Sequence, residues 1–342
     1  MFAVLFGFFV SNLWTFDGRL CRNLATHFLA LAEKQNATAP VLMAHRIMGQ
    51  TLGFSGDPVG ARVHYDKGIA LYDPAEHGPL AMRFGHDAQV VMLSFRSWAL
   101  WLLGYPDAAL RDTDDAVKKA RAMDQAATLM FALFSAASND LVRSAYSAAA
   151  IRAQELFALA EEKGAAWKEN AQLLQGCVLA HTGKALEAVQ MITSIIAKRR
   201  SHGIKLEMPT CLSHLAWANA ELGQFGEAWR YIGDAMTIVE TSGLRSPEAE
   251  VCRVAGEIAL KSPEQDMAKA QAYFDRALAV ARAQQAKSWE LRAAMSMARL
   301  WRDQGKRDEA RDLLAPVYGW FTEGFDTRDL KEANKLLGEL AS

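Results

Sequence analysis

The residues best equipped for chemistry in this 342-residue chain are Asp73, His77, His86 and Asp87. Imidazole and carboxylate ligands together can hold zinc or another transition metal. Their spacing matches no standard site, however, and a loop that makes helix caps and ion pairs accounts for them more simply. Lys198-Arg199-Arg200, followed by His202, ends an expected helix, where cations complement the free carbonyls. Phosphate contact is the functional alternative, but no wider basic surface supports it. His45, His181 and His214 lie on or beside helical faces without a partner in the same segment. No phosphate-binding G-x-x-x-x-G-K-[ST] loop, H-E-x-x-H, EF-hand spacing or G-x-S-x-G elbow occurs. The expectation is therefore a chain without catalytic, cofactor-binding or metal-binding residues, and without a cofactor. A helical hydrolase or lyase using His77 or His86 is the enzymatic alternative.

Binding chemistry has better sequence support. Trp98 and Trp101 are three apart and share a helical face. Trp217, Trp229, Trp289, Trp301 and Trp320 recur at repeat intervals instead of clustering, which suits packing between helices and, in part, a concave groove. Arg46, Arg96, Arg253 and Arg292 interrupt apolar helices and are expected groove donors. The expected contact set is Arg46, His77, His86, Arg96, Trp98, Trp217, Arg253, Trp289 and Arg292.

These residues need elements to position them, and the chain reads as helical throughout. A Gly-x-x-x-x-Ala corner recurs at Gly56/Ala61, Gly104/Ala109, Gly183/Ala188, Gly223/Ala228 and Gly305/Ala310. Successive corners are about 40 residues or twice that apart, the period of a helical-hairpin repeat. Degenerate corners are expected near Ser138–Arg143 and Ser262–Gln265, and Gly18 marks the first, with Asn23 in the alanine's place. Glycine ends one helix where the chain needs positive φ. The alanine, early in the next helix, lets two antiparallel helices approach closely. Apolar positions after Ala228 and Ala310 return every three or four residues, a helical and not a strand period.

The spacing predicts eight hairpins. First helices fall near 1–16, 40–55, 82–103, 124–139, 165–182, 208–222, 247–261 and 287–304. Their partners fall near 19–35, 58–72, 106–122, 145–163, 185–201, 226–241, 266–284 and 307–321. A last helix from about Thr327 covers the open end of the stack. Ser262, Pro263 and Gln265 are expected to form a capping box, Ser246-Pro247 a second helix start, and Asp326 a cap with Phe325 stapled to Leu330. A loop insertion near 73–81 lengthens the Gly56 to Gly104 step to 48 residues. The whole, 1–342, reads as one all-α domain, a right-handed superhelix or α-solenoid.

Composition limits the function classes. A hydrophobic fraction of 51% with 23% charged residues excludes global disorder. Thirty-eight Lys+Arg against 39 Asp+Glu, a formal net charge of -1, argues against a general nucleic-acid partner. Cys21, Cys177, Cys211 and Cys252 form no C-x-x-C pair and read as small buried hydrophobes in a reducing, cytoplasmic compartment. The apolar opening MFAVLFGFFVSNLWTF is broken by Ser11, Asn12 and Thr15 and has no basic start, so a buried first helix is expected and no membrane role. Such a helix at Met1 reads as a chain entered partway through a larger architecture.

The glycine-alanine corner resembles the tetratricopeptide repeat, with each helix about a turn longer. A narrower resemblance rests on Leu71-Tyr72-Asp73-Pro74 with His77, and on Trp98-Ala99-Leu100-Trp101-Leu102-Leu103-Gly104-Tyr105-Pro106. It continues in Ala286-Lys287-Ser288-Trp289-Glu290-Leu291-Arg292, Ala298-Arg299-Leu300-Trp301 and Leu313-Leu314-Ala315-Pro316-Val317-Tyr318. It closes with Trp320-Phe321-Thr322-Glu323-Gly324-Phe325-Asp326-Thr327 and Asp329-Leu330-Lys331-Glu332-Ala333. These stretches resemble the C-terminal repeat region of bacterial multidomain regulators that join a class III adenylate/guanylate cyclase domain to a predicted ATPase domain. The resemblance implies a regulatory tail whose chemistry lies upstream. The expected function is a non-catalytic module that binds a protein segment or upstream regulatory or catalytic domains; the alternative is a helical sensor of a small-molecule effector.

Overall fold

The structure, a computed structural model, describes residues 2–35, 37–163 and 167–341. All regular elements among them are helices. Hairpin 1 pairs α1 (Phe2–Thr15) with α2 (Gly18–Lys34), and hairpin 2 pairs α3 (Thr38–Phe54) with α4 (Pro58–Leu71). The insertion forms two short helices, α5 (Pro74–His77) and α6 (Leu80–Phe84). Hairpin 3 is α7 (Ala88–Leu102) with α8 (Pro106–Arg121), hairpin 4 α9 (Ala126–Val142) with α10 (Tyr146–Lys163), and hairpin 5 α11 (Lys168–Leu179) with α12 (Ala185–Ser201). Hairpin 6 is α13 (Met208–Glu221) with α14 (Phe225–Ser242), hairpin 7 α15 (Glu248–Lys261) with α16 (Met267–Ala283), and hairpin 8 α17 (Lys287–Asp303) with α18 (Arg307–Tyr318). The terminal helix is α19 (Arg328–Ala341). The expected start of α11 at 165 lies outside the described residues.

The corners repeat more regularly than the glycines announce. Positive φ recurs at Phe16, Gly56, Gly104, Ser144, Gly183, Gly223, Gln265 and Gly305. The residue five positions on is Cys21, Ala61, Ala109, Ala149, Ala188, Ala228, Ala270 or Ala310, each at most 1% exposed. Two expected corners are thereby corrected, and a third keeps its place but not its cap. The first lies at Phe16 and Cys21, not at Gly18 and Asn23, and Asn23 is exposed. The fourth lies at Ser144, just past Ser138–Arg143. The seventh turns at Gln265, within the expected Ser262–Gln265, but no capping box forms there. Ser262 instead ends α15, and Asp266 caps α16 by accepting from the Lys269 amide at 2.9 Å. Helix 82–103 is likewise split, because Gly85 has φ 85° and the Asp87 carboxylate caps a new start by accepting from the Val90 amide. Asp326 does not cap α19; it is fully exposed, 3.5 Å from Lys331, and the half-exposed Phe325 lies against Tyr318.

First helices line the inside of the superhelix and second helices the outside. In α3 every residue from Leu42 to Gly53 is buried, whereas α4 buries only Pro58, Ala61, Tyr65 and Gly68. α7, α13 and α17 repeat the first pattern, and α8, α14 and α18 the second. A hairpin in an open row would leave its concave side in water; here that side is covered because the superhelix closes upon itself. Carbonyls left free at the ends of first helices accept from the following turn. Trp14 O accepts from the Lys205 and Leu206 amides, and Phe54 O from those of Arg245 and Ser246. Trp101 O accepts from Ser288 Oγ, 187 residues away, nearly five repeat lengths. The Glu323 carboxylate accepts from the Asp107 and Ala108 amides, both at 3.0 Å, at the free N-terminus of α8. The four cysteines are free and buried, as their sequence context suggested. Among the described residues no helix is long and apolar enough to cross a membrane.

Candidate functional site

The interior differs along its length. Toward the N-terminal end it is filled by a ladder of rings, one from each successive hairpin. Phe16 lies 6.0 Å from Phe54, Phe54 5.6 Å from Phe95, Phe95 5.8 Å from Phe131, and Phe131 6.3 Å from Trp167. Four of the expected contact residues are absorbed in or near this packing. Arg46 is 4% exposed, with its guanidinium 5.2 Å over the Phe6 ring and Nη1 donating to His86 O at 3.4 Å. Burial pulls it down to about 10, with Asp87 opposing. The His86 ring packs against Phe131 and Trp167, and burial, with Arg46 nearby, holds it at about 4. His77 is 1% exposed, and its Nδ1 accepts from the Asp73 amide at 2.9 Å. Arg96 ties three helices together, donating from Nε and Nη2 to Asp112 and from Nη1 to Asp66.

Asp73 caps α5, and the Tyr72 hydroxyl donates to Asp87 at 2.5 Å, so the sequence's most chemical-looking cluster serves as scaffold for the insertion. Among the described residues no group of three or more His, Cys, Asp or Glu could hold a metal ion. The basic run is also structural. Lys198 pairs with Glu169, Arg200 with Asp234, and Arg199, 2% exposed, donates to Asn170 at 2.5 Å and faces Glu207 at 3.4 Å.

Toward the C-terminal end the interior opens into a cavity of about 290 Å³. It is lined by Trp98 of α7, the corners of hairpins 4 and 5, the first helices of hairpins 6, 7 and 8, and the start of α19. The other five expected contact residues, Trp98, Trp217, Arg253, Trp289 and Arg292, meet on its wall. Trp98 lies 6.3 Å from Trp289, which stands edge-on to Trp101 at 4.6 Å. Arg292 covers Trp101 and Trp289 at 5.2 and 5.3 Å. It also donates from Nη2 to Val142 O at 2.6 Å, so this one side chain both lines the cavity and holds two superhelical turns together.

Residues without a strong sequence signal complete the wall. Tyr146, His181 and Trp217 form a second ladder, with ring separations of 5.2 and 6.3 Å and planes 4° and 18° apart. His181 Nε2 lies 2.8 Å from His214 Nδ1. Burial holds the two rings at about 2 and about 4. His214 and nearby arginines lower His181 further, while at His214 Glu250 opposes burial and Arg292 adds to it. Two neutral rings in this contact share one proton between these nitrogens. His214 Nε2 and Trp289 Nε1 are buried without a hydrogen-bond partner. Arg253 grips Glu250 through two bonds of 2.7 and 2.8 Å and faces Glu257 at 3.2 Å. Burial alone would raise the Glu250 carboxyl, but Arg253 and Arg292 bring it below its ordinary value. The i, i+3, i+7 spacing of Glu250, Arg253 and Glu257 was the available signal. The histidines, 33 residues apart, required the idea of a pair spanning two repeats.

A tetratricopeptide-repeat family model matches residues 91–111 and 291–316, the segments carrying the Gly104/Ala109 and Gly305/Ala310 corners. No curated protein matches the chain in sequence. Among solved structures, NprR in complex with its cognate peptide NprX is 11% identical, with a TM-score of 0.60 over 98% of this chain and 96% of that one. A Rap protein complexed with Competence and Sporulation Factor is 13% identical, with a TM-score of 0.57 over 99% and 97%. Aspartyl phosphate phosphatase F from Bacillus subtilis is 15% identical, with a TM-score of 0.50 over 86% and 74%. At such identities the likeness is one of fold, and it is an all-α, tetratricopeptide-like superhelix of helical hairpins.

Proposed function

We propose that this chain is a non-catalytic regulatory module that holds a short peptide segment of a partner protein in its C-terminal cavity. The observation that carries this reading is the contrast inside the superhelix. Where the N-terminal interior is packed with rings, the C-terminal one leaves about 290 Å³ walled by tryptophans, arginines and unpartnered ring nitrogens. That volume is near the lower end of the roughly 300–1,000 Å³ usual for ligand sites, and aromatic and arginine side chains dominate binding energetics elsewhere. Two solved superhelices of the same extent are complexes with a peptide or a named factor, which agrees with the reading. Selection from a displayed random heptapeptide library tests it, followed by calorimetry of an enriched peptide. One-to-one binding lost in Trp217→Ala supports the cavity. Peptides that bind Trp217→Ala and Arg253→Ala as well as wild type overturn it. Saturable binding of a metabolite with no peptide enriched favours the small-molecule sensor.

The finer reading, a tail acting on an upstream cyclase or ATPase domain, rests only on the sequence resemblance of Leu71–Pro74 with His77, Trp98–Pro106 and the run from Ala286 to Ala333. In-frame coding sequence for such a domain ahead of Met1 is its test, and a coding sequence without one overturns it.

A further inference from the structure

The charged groups around the cavity form two chains of opposite net charge at different depths. The deeper chain runs Glu257–Arg253–Glu250–Arg292–Asp329, with contacts of 3.2, 2.7, 3.8 and 2.8 Å. Its members are 11–27% exposed, and it ends in a carboxylate on both sides: three acids against two guanidiniums, a surplus of one negative charge. The outer chain runs Arg299–Glu332–Arg328, at 3.0 and 2.7 Å. Its members are 37–56% exposed, and it ends in a guanidinium on both sides, a surplus of one positive charge. The histidine pair on the same wall is held neutral by burial and cancels neither surplus. A surplus charge held away from water is costly when unpaired and attracts a counter-charge strongly. The rings accept such an ion, since Arg292 already lies over Trp101 and Trp289.

We propose that the peptide segment carries a basic side chain, arginine or lysine, which enters the cavity and docks against the deep chain beside Glu257 and Asp329. The outer guanidiniums repel that cation and so give the segment a direction, basic group inward. This inference rests on the peptide-binding reading and adds the chemistry of the ligand to it.

The heptapeptide selection reads both at once. The expected result is a basic residue enriched at one position, and a loss of about tenfold or more in affinity when that residue becomes glutamine. On Glu257→Gln, which keeps an acceptor for Ser296 Oγ and Arg253, the same peptide pair should differ by less than about threefold. Asp329→Asn should do likewise, and an unchanged circular dichroism spectrum shows that either variant is folded. The outer variant Arg328→Gln should leave the preference intact. Enriched peptides with no basic residue, or with an acidic one, overturn this inference and leave the peptide-binding reading standing; no enrichment at all overturns both. Displacement of the peptide by argininamide at an equal concentration overturns the peptide part, because a free small cation then suffices.

Discussion

Hairpins 1–4 and hairpins 5–8 come from one repeat but carry different loads. Corners in the first set are roofed by the second superhelical turn. A Cβ at Gly104 would fall 2.5 Å from Trp320 and 3.0 Å from Lys287, and one at Gly56 2.9 Å from Gln284. At Gly183, Gly223 and Gly305 nothing lies within 4 Å. The interiors differ in the same sense, ring-filled in the first set and open in the second. A repeat protein is ordinarily held by nearest-neighbour contacts alone. Here the first half is held from above as well, so most of its interior side chains are committed to packing, and only Trp98 and the hairpin 4 corner reach the cavity that the second half leaves open.

The largest expected effect breaks the comparison at its corners. Gly104→Val meets both a left-handed backbone and the second turn, and should cost about 3–5 kcal/mol. Gly223→Ala meets only the backbone penalty, about 1 kcal/mol. Urea midpoints of the two variants measure the difference, and equal losses would mean that the turns do not touch. In the filled interior, Phe84→Ala removes a ring 5.0 Å from Phe6 and should cost about 3 kcal/mol of stability. Peptide affinity should be unchanged in calorimetry of that variant.

Trp217→Ala is the mirror case: half-buried on the cavity wall, it should cost only about 1 kcal/mol of stability but about tenfold or more in peptide affinity. If Phe84→Ala weakened binding and Trp217→Ala did not, the assignment of the two halves would be reversed. The smallest effect is on pH. His86, His181 and His214 have folded values below the unfolded 6.5, so below that pH the unfolded chain binds more protons and stability falls. The melting temperature should decline from pH 7 toward pH 4. His181→Phe should flatten that decline, whereas NMR ring shifts of His86, His181 or His214 that titrate near 6.5 would contradict it.

The repeat itself was legible because each corner is a local event. Glycine at φ 73–87° and a small residue five positions on are needed within one hairpin, and at five of the eight corners the residue types declare both. Phe16, Ser144 and Gln265 hold the same backbone without glycine, imposed by the packing around them, and could be found only by counting from their neighbours. Of the contact residues expected from sequence, Arg46, His77, His86 and Arg96 went into scaffold. A polar residue interrupting an apolar helix is the same signal whether it meets a phenylalanine ring, a backbone amide or open space.

The sequence alone determined the local grammar: helix lengths, a forty-residue period, small residues where helices cross, and a charge balance with no surplus for nucleic acid. It could do so because those choices are made by residues within a few turns of one another. Which residues surround the cavity was decided only in three dimensions. Each hairpin adds a small rotation, and only after about four of them does Val142 come beneath Arg292, and after nearly five Trp101 beneath Ser288. A sum of small rotations is a property of the whole stack. No single repeat encodes where its interior closes and where it stays open.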